Sequence, residues 1–173
     1  MASILNVDQI NNAAGTSALT IDSSGNTLIP GHVIKQTLVD ATPVSTVTAS
    51  SSTYVEAISA TYTPQTTTST VIVDISFYQR SYRTGADDGR MKYQVNVNGT
   101  KEYAVIDLNA YDFGGSGPWF KGVQHSAIQV NNSTGSTISI TVDVATSGGT
   151  GVSVYSASSD EGRAIIKFTE IAQ

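Results

Sequence analysis

Apolar and polar residues alternate along most of the chain, and this period of two is the feature that most restricts its fold. The segment "TVIVDISFYQR" puts four apolar residues on one strand face, namely Val71, Val73, Ile75 and Phe77. The segment "STISITVDVAT" repeats the pattern with Ile138, Ile140, Val142 and Val144. Successive side chains of a strand point to opposite faces, so each segment predicts a strand with one buried face.

A tight hairpin is predicted where the alternation of "RMKYQVNVNGTKEYAVIDL" meets Asn98-Gly99. This dipeptide readily takes the two positive-φ positions of a type I′ turn, which joins antiparallel strands.

Weaker alternation predicts five more strands, in "HVIKQTLV", "TYVEAISATYT", "FKGVQHSAIQV", "GVSVYSA" and "RAIIKFTEI". No segment carries apolar residues at helical spacing, and the many β-branched residues pack better on a sheet than in a helix. We therefore predict an all-β protein, an antiparallel β-sandwich of jelly-roll type with a short N-terminal attachment segment.

The first 31 residues form a separate case, since apolar residues there are sparse and come in small groups. "SILNV" and "ALTID" could form short strands, broken by "NNAAG" and "DSSGN", but so small a piece is marginal on its own. Copies around a threefold axis would bury its apolar residues. We predict an attachment and trimerisation segment at 1–31 and a sandwich at 32–173, with an assembly interface of Ile4, Leu5, Val7, Ile10, Leu19, Ile21, Leu28 and Ile29.

The composition argues against several classes of partner. The net charge is −5, which gives no field to attract nucleic acid or an anionic membrane surface. Cysteine is absent, which removes disulfides and thiolate metal sites, and no apolar run is long enough to insert into a membrane. The N-terminus also lacks the pattern of a signal peptide. We expect no cofactor, no nucleic acid and no membrane insertion.

The candidate catalytic groups do not form a recognisable set. His32 and His125 are far apart in the sequence, and Asp87-Asp88 lies in a loop-like stretch without calcium-loop spacing. Asp107 with Asp112 could be a glycosidase pair, although the sequence does not give their separation. We predict that the protein is not an enzyme.

One aromatic stretch, "NAYDFGGSGPWFKGVQH", has the composition of a sugar-binding loop. Its rings could stack on a sugar while polar groups orient it, and the candidate contacts are Tyr111, Asp112, Phe113, Trp119 and Phe120. The alternative is that Trp119 and Phe120 anchor the loop on the core or at a subunit contact.

Four segments resemble parts of tail-fibre-like and other virion proteins of marine bacteriophages, cyanophages among them. They are "ILNVDQINNAAGTSALTID", "IPGHVIKQ", "SSSTYVEAISATYTPQTTTSTVIVDISF" and "IIKFTEIA". The resemblance implies a structural component of the virion, made in the bacterial cytoplasm and displayed as a trimeric fibre, knob or decoration on head or tail. Its partners would be its own copies and other capsid or tail proteins. The chain departs from long tail fibres in having no extended repetitive shaft. The alternative function is an adhesion module that binds a host surface glycan. A hydrolase is the third hypothesis, after a structural virion protein and a glycan-binding adhesion module.

Overall fold

The fold is that of a computed structural model of the chain. The structure describes residues 8–15, 17–21, 27–43, 47–83, 90–109, 119–147, 150–154 and 163–173. Within those ranges the chain forms β1 (Gln9–Asn11), β2 (Ser17–Ile21), β3 (Thr27–Leu28), β4 (Val33–Asp40), β5 (Val47–Ala49), β6 (Val55–Tyr62), β7 (Ser69–Arg83), β8 (Arg90–Val97), β9 (Thr100–Asn109), β10 (Trp119–Asn132), β11 (Ile138–Ser147), β12 (Thr150–Val154) and β13 (Ile165–Ala172).

These strands form three antiparallel sheets. A small N-terminal sheet has the order β1-β2-β3, and a four-stranded sheet has the order β6-β11-β8-β9. The largest sheet has the order β4-β13-β7-β12-β5, and β10 pairs with the other side of β7. Strand β7 is 15 residues long, so β13 and β12 pair with successive parts of the same edge.

The order of the strands is that of a jelly roll. Without the short additions β5 and β12, the larger sheet reads β4-β13-β7-β10 and faces β6-β11-β8-β9. Numbered one to eight along the chain, these strands lie in the orders 1-8-3-6 and 2-7-4-5, which are the two sheets of a jelly roll. The predicted fold class, an antiparallel β-sandwich of jelly-roll type, is confirmed.

The core lies between the two larger sheets and is built by the alternation seen in the sequence. Val71, Val73, Ile75 and Phe77 of β7 are buried, as are Ile138, Ile140, Val142 and Val144 of β11. Two ring pairs reinforce it: Phe77 meets Tyr93 edge to face at 5.8 Å, and Tyr62 stacks on Phe168 at 5.1 Å. Burial raises the pKa of Tyr93 to about 12.

The predicted hairpin joins β8 to β9 at Asn98-Gly99. Both residues have positive φ, 51° and 77°, as a type I′ turn requires. The backbone N–H of Asn98 donates to the carbonyl of Ser139 at 2.8 Å, and the Asn98 Oδ1 accepts from the N–H of Ser139 at 2.8 Å. The turn is therefore fixed to β11 as well as closing its own hairpin.

No helix occurs in the described ranges, and accordingly none there could span a membrane.

Candidate functional site

The N-terminal sheet presents three apolar side chains on one face. Ile10 of β1 is opposite Leu19 of β2, and paired residues of an antiparallel ladder share a face. Ile21 lies two residues beyond Leu19 and therefore points the same way. Ile10 is 52% exposed, Ile21 is 36% exposed and Leu19 is half-buried, so this "isoleucine face" (Ile10, Leu19 and Ile21) is partly open to water.

The small sheet has its main contacts within itself. β1 contacts β2 and β2 contacts β3, while no extensive contact joins these strands to the described strands of the sandwich. The described strands of the sandwich therefore do not cover the isoleucine face.

A tight turn connects this sheet to the sandwich. The N–H of His32 donates to the carbonyl of Ile29 at 3.0 Å, and Gly31 has a φ of 82°. Proline at the second position and a positive-φ glycine at the third define a type II turn, which explains the sequence "IPGH". Ile29 is half-buried at its start.

The turn is bonded to the end of the last strand. Gly31 N–H donates to the Ala172 carbonyl, and Ala172 N–H donates to the His32 carbonyl, both at 2.9 Å. The chain therefore enters the sandwich beside the point where β13 ends.

The other predicted interface residues are placed only in part. Ile4, Leu5 and Val7 lie outside the described residues, and Leu28 is in β3 opposite Thr20. The structure thus brings together three of the eight predicted residues, and the division at residue 31 stays a prediction.

The predicted glycan contacts fall largely outside the described residues, including Tyr111, Asp112 and Phe113. Trp119 and Phe120 begin β10, where they pair with Ser81 and Arg80 of β7.

The candidate catalytic residues that the structure describes lie on different elements. His32 is exposed at the turn, and His125 lies in β10 opposite Ile75. Asp107 is in β9, whereas Asp87, Asp88 and Asp112 lie outside the described residues. Among the residues described, no three His, Cys, Asp or Glu side chains form a metal-binding group.

A buried carboxylate that the sequence analysis did not single out joins three elements. Glu170 of β13 is 0% exposed, and its Oε2 accepts hydrogen bonds from Tyr62 Oη at 2.6 Å and from the backbone N–H of Gln65 at 2.8 Å. Both the N–H and the Oγ1 of Thr66 donate to the other oxygen at 3.2 Å. Glu170 thereby fixes the connection between β6 and β7.

The pKa values of this cluster follow from that geometry. Burial favours the neutral acid and alone would raise the pKa of Glu170, but hydrogen bonds from Gln65, Tyr62, Ser69 and Thr66 outweigh burial and hold the pKa below its ordinary value. Burial raises the pKa of Tyr62, and its bond to Glu170 raises that pKa further. Glu170 is therefore ionised at neutral pH and acts as a structural acceptor.

The sequence did contain a signal for Glu170. Counting by two from Ile166 and Phe168, both fully buried, reaches Glu170, so the phase of β13 places the carboxylate on the inner face.

Comparisons with known proteins give no family. No protein-family model matches the chain, and no curated protein matches it. Among solved structures, dimeric latent PorU from Porphyromonas gingivalis is similar over 84% of this chain and 13% of its own, with a TM-score of 0.48 and 12% identity.

Structures from infectious bursal disease virus are also similar. The VP2 subviral particle matches over 98% of this chain and 51% of its own, with a TM-score of 0.42 and 10% identity. The Gx strain structure matches over 83% and 37%, with a TM-score of 0.40 and 11% identity. The chain thus spans about half or less of each of these neighbours, and similarity at this level carries no functional argument.

Proposed function

We propose that the protein is a structural component of a bacteriophage particle, assembled as a homotrimer through its N-terminal segment. The sandwich would project from the particle as a decoration, knob or fibre head, and capsid or tail proteins would hold the N-terminal end. The proposed role is assembly and display, without catalysis.

The isoleucine face is the observation that carries this proposal. A three-stranded sheet of ten strand residues cannot form an independent core, yet Ile10, Leu19 and Ile21 are aligned on one face and the described strands of the sandwich leave that face partly open. Burying a half-exposed isoleucine would contribute about 1 kcal/mol, from apolar transfer energies. Three copies together would bury six such side chains around one axis.

The resemblance to virion proteins of marine bacteriophages supports the same role. It is carried in part by "ILNVDQINNAAGTSALTID", which contains β1 and β2, and by "IPGHVIKQ", which contains the turn onto β13. Both segments contribute to the N-terminal sheet and its connection.

Light scattering after size exclusion tests the proposal. The full chain should have three times its 18.1 kDa mass, and the double variant Ile10→Thr/Ile21→Thr should shift toward the monomer. Threonine is β-branched like isoleucine and also favours strands, so the substitutions mainly remove apolar contact and largely keep the strand preference.

The matched control is Leu38→Thr, because Leu38 is 71% exposed on β4 of the sandwich. This variant should remain trimeric. A monomeric wild-type protein, or equal dissociation of the control and the double variant, would contradict assembly through the isoleucine face.

A further inference from the structure

A polar groove lies between the edges of the two sheets of the sandwich. It has a volume of about 320 Å³ and is lined by the β8–β9 hairpin on one side and the end of β10 on the other. Strand β9 is the last strand of its sheet, and β10 pairs only with β7 among the described strands. We call it the edge groove; its lining includes Asn98, Thr100, Glu102, Gln129, Val130 and Asn131.

One hydrogen-bond donor in the edge groove is held in a fixed orientation. The Oδ1 of Asn98 is already bonded to the Ser139 N–H, and the backbone of Asn98 is bonded to the Ser139 carbonyl. The backbone bond holds the Asn98 main chain and the side-chain bond directs the amide oxygen toward Ser139, which leaves the Nδ2 hydrogens to a further acceptor. A ligand would therefore meet an amide that needs little ordering.

The remaining polar side chains of the edge groove are uncommitted. Within the described part of the chain, no hydrogen bond or ion pair engages the side chains of Thr100, Glu102, Gln129 or Asn131. All four residues are exposed, so they are hydrated and can exchange water for ligand hydroxyls.

The charge of the groove narrows the ligand class. Its lining holds one carboxylate, that of Glu102, and no cationic side chain. A phosphate, sulfate or carboxylate ligand would be repelled, whereas hydroxyl groups can donate to the carboxylate and exchange hydrogen bonds with the amides. Val130 supplies an apolar surface for a C–H face.

We propose that the edge groove binds a neutral hexose at the end of a glycan chain. Glu102 accepts from two neighbouring hydroxyls, while Asn98, Gln129 and Asn131 orient the ring from both sides. A volume of about 320 Å³ lies at the lower limit of ligand sites, roughly 300 to 1,000 Å³, and suits a small saccharide. This inference goes beyond the assembly role and does not depend on it.

The proposed site differs from the aromatic stretch considered in the sequence. Glu102 is seven residues before Asn109, where β9 ends, and at about 3.3 Å per residue this separates the two by roughly 23 Å. The edge groove therefore lies near the start of β9, whereas the aromatic stretch begins at the last residue of that strand.

Side-chain amide NMR of the full-length protein tests the proposal with the methyl glycosides of glucose, galactose and mannose. At least one should give saturable shifts of the Asn98, Gln129 and Asn131 amide signals. Glu102→Gln should weaken binding about tenfold, because two charge-assisted hydrogen bonds are lost.

Glu56→Gln is the matched control, since Glu56 is an exposed carboxylate on β6, at the other edge of the same sheet. It should leave the affinity unchanged. Absence of saturable shifts with all three glycosides, or equal weakening by Glu56→Gln, would overturn the site. A higher affinity for a free hexose than for its methyl glycoside would contradict the proposal that the hexose is the end of a glycan chain. Trimer mass is measured separately, so failure of sugar binding leaves the assembly proposal unaffected.

Discussion

The hydroxyl of Tyr62 donates a hydrogen bond of 2.6 Å to the carboxylate of Glu170, across the interface of the two sheets. Tyr62 belongs to β6 and stacks on Phe168 of β13, so the bond and the ring contact act between the same two strands. Lys35 of β4 lies over the Tyr62 ring at 5.9 Å. One buried acid thus connects both sheets and the 63–68 connection.

Glu170→Gln should lower the free energy of unfolding by about 2 to 3 kcal/mol, because an amide NH₂ cannot accept from the donors that surround the carboxylate. Denaturant unfolding at neutral pH measures this. Tyr62→Phe should cost less than Glu170→Gln, since it removes only one donor. Equal stability of wild type and Glu170→Gln would contradict the role of the carboxylate.

The pH dependence of stability should report the same group. The pKa of Glu170 is lower in the folded chain than its ordinary value of 4.5, so the unfolded chain binds the proton first as pH falls. The stabilisation is complete above about pH 5 and is lost as pH falls through the folded-state pKa.

The difference in the free energy of unfolding between wild type and Glu170→Gln isolates the contribution of Glu170 to the pH dependence. Asp74 also has a lowered pKa, chiefly through Lys167, and Asp40 through Thr42, and these acids remain in both proteins. Denaturant unfolding between pH 6 and pH 3 should show that the free energy of unfolding falls less in Glu170→Gln than in the wild type. Parallel curves would contradict the assignment.

Gly99→Ala should destabilise the sandwich by about 1 to 2 kcal/mol. The cost is conformational, because Gly99 has a φ of 77° and an added Cβ would have no heavy atom within 4 Å. Thermal unfolding measures the loss. Lys101→Ala, next along β9 but without a positive φ, is the control and should have a much smaller effect. A neutral Gly99→Ala would indicate that the turn can adopt another form.

A chain that begins at Gly31 should keep the β-sandwich, because the core residues among those the structure describes lie beyond residue 31. It should lose incorporation into particles, because the proposed attachment segment is removed. Far-UV circular dichroism checks the fold, and particle purification after expression checks incorporation. If the shortened chain enters particles as well as the full chain does, the N-terminal segment is not the attachment element.

The sequence was most informative where apolar residues alternate without interruption. Val71 to Phe77 and Ile138 to Val144 identified β7 and β11 with the correct buried face, and Asn98-Gly99 identified their neighbouring hairpin. Strands β1 and β5 have three residues each, too few for a periodic pattern to emerge. Backbone pairing rather than local pattern defines them.

The candidate sites were harder to predict for a different reason. The edge groove combines Glu102 of β9 with Gln129 of β10, and strand alternation says which face a residue takes but not which edges meet. Glu170 is similar: its inward phase is readable, whereas its donors at residues 62 to 69 depend on how β6 and β7 are connected.

The hydrogen bonds that join Ala172 to Gly31 and to His32 also determine how the sandwich would respond to a mechanical pull. A force applied through residue 31 first loads these bonds and then β4, which begins at Val33 and pairs with β13 from Val33–Ile171 to Asp40–Ile165. Drag directed along the strands would slide β4 against β13, and the hydrogen bonds of this ladder would share the load instead of opening one after another. A domain tethered at this point resists shear.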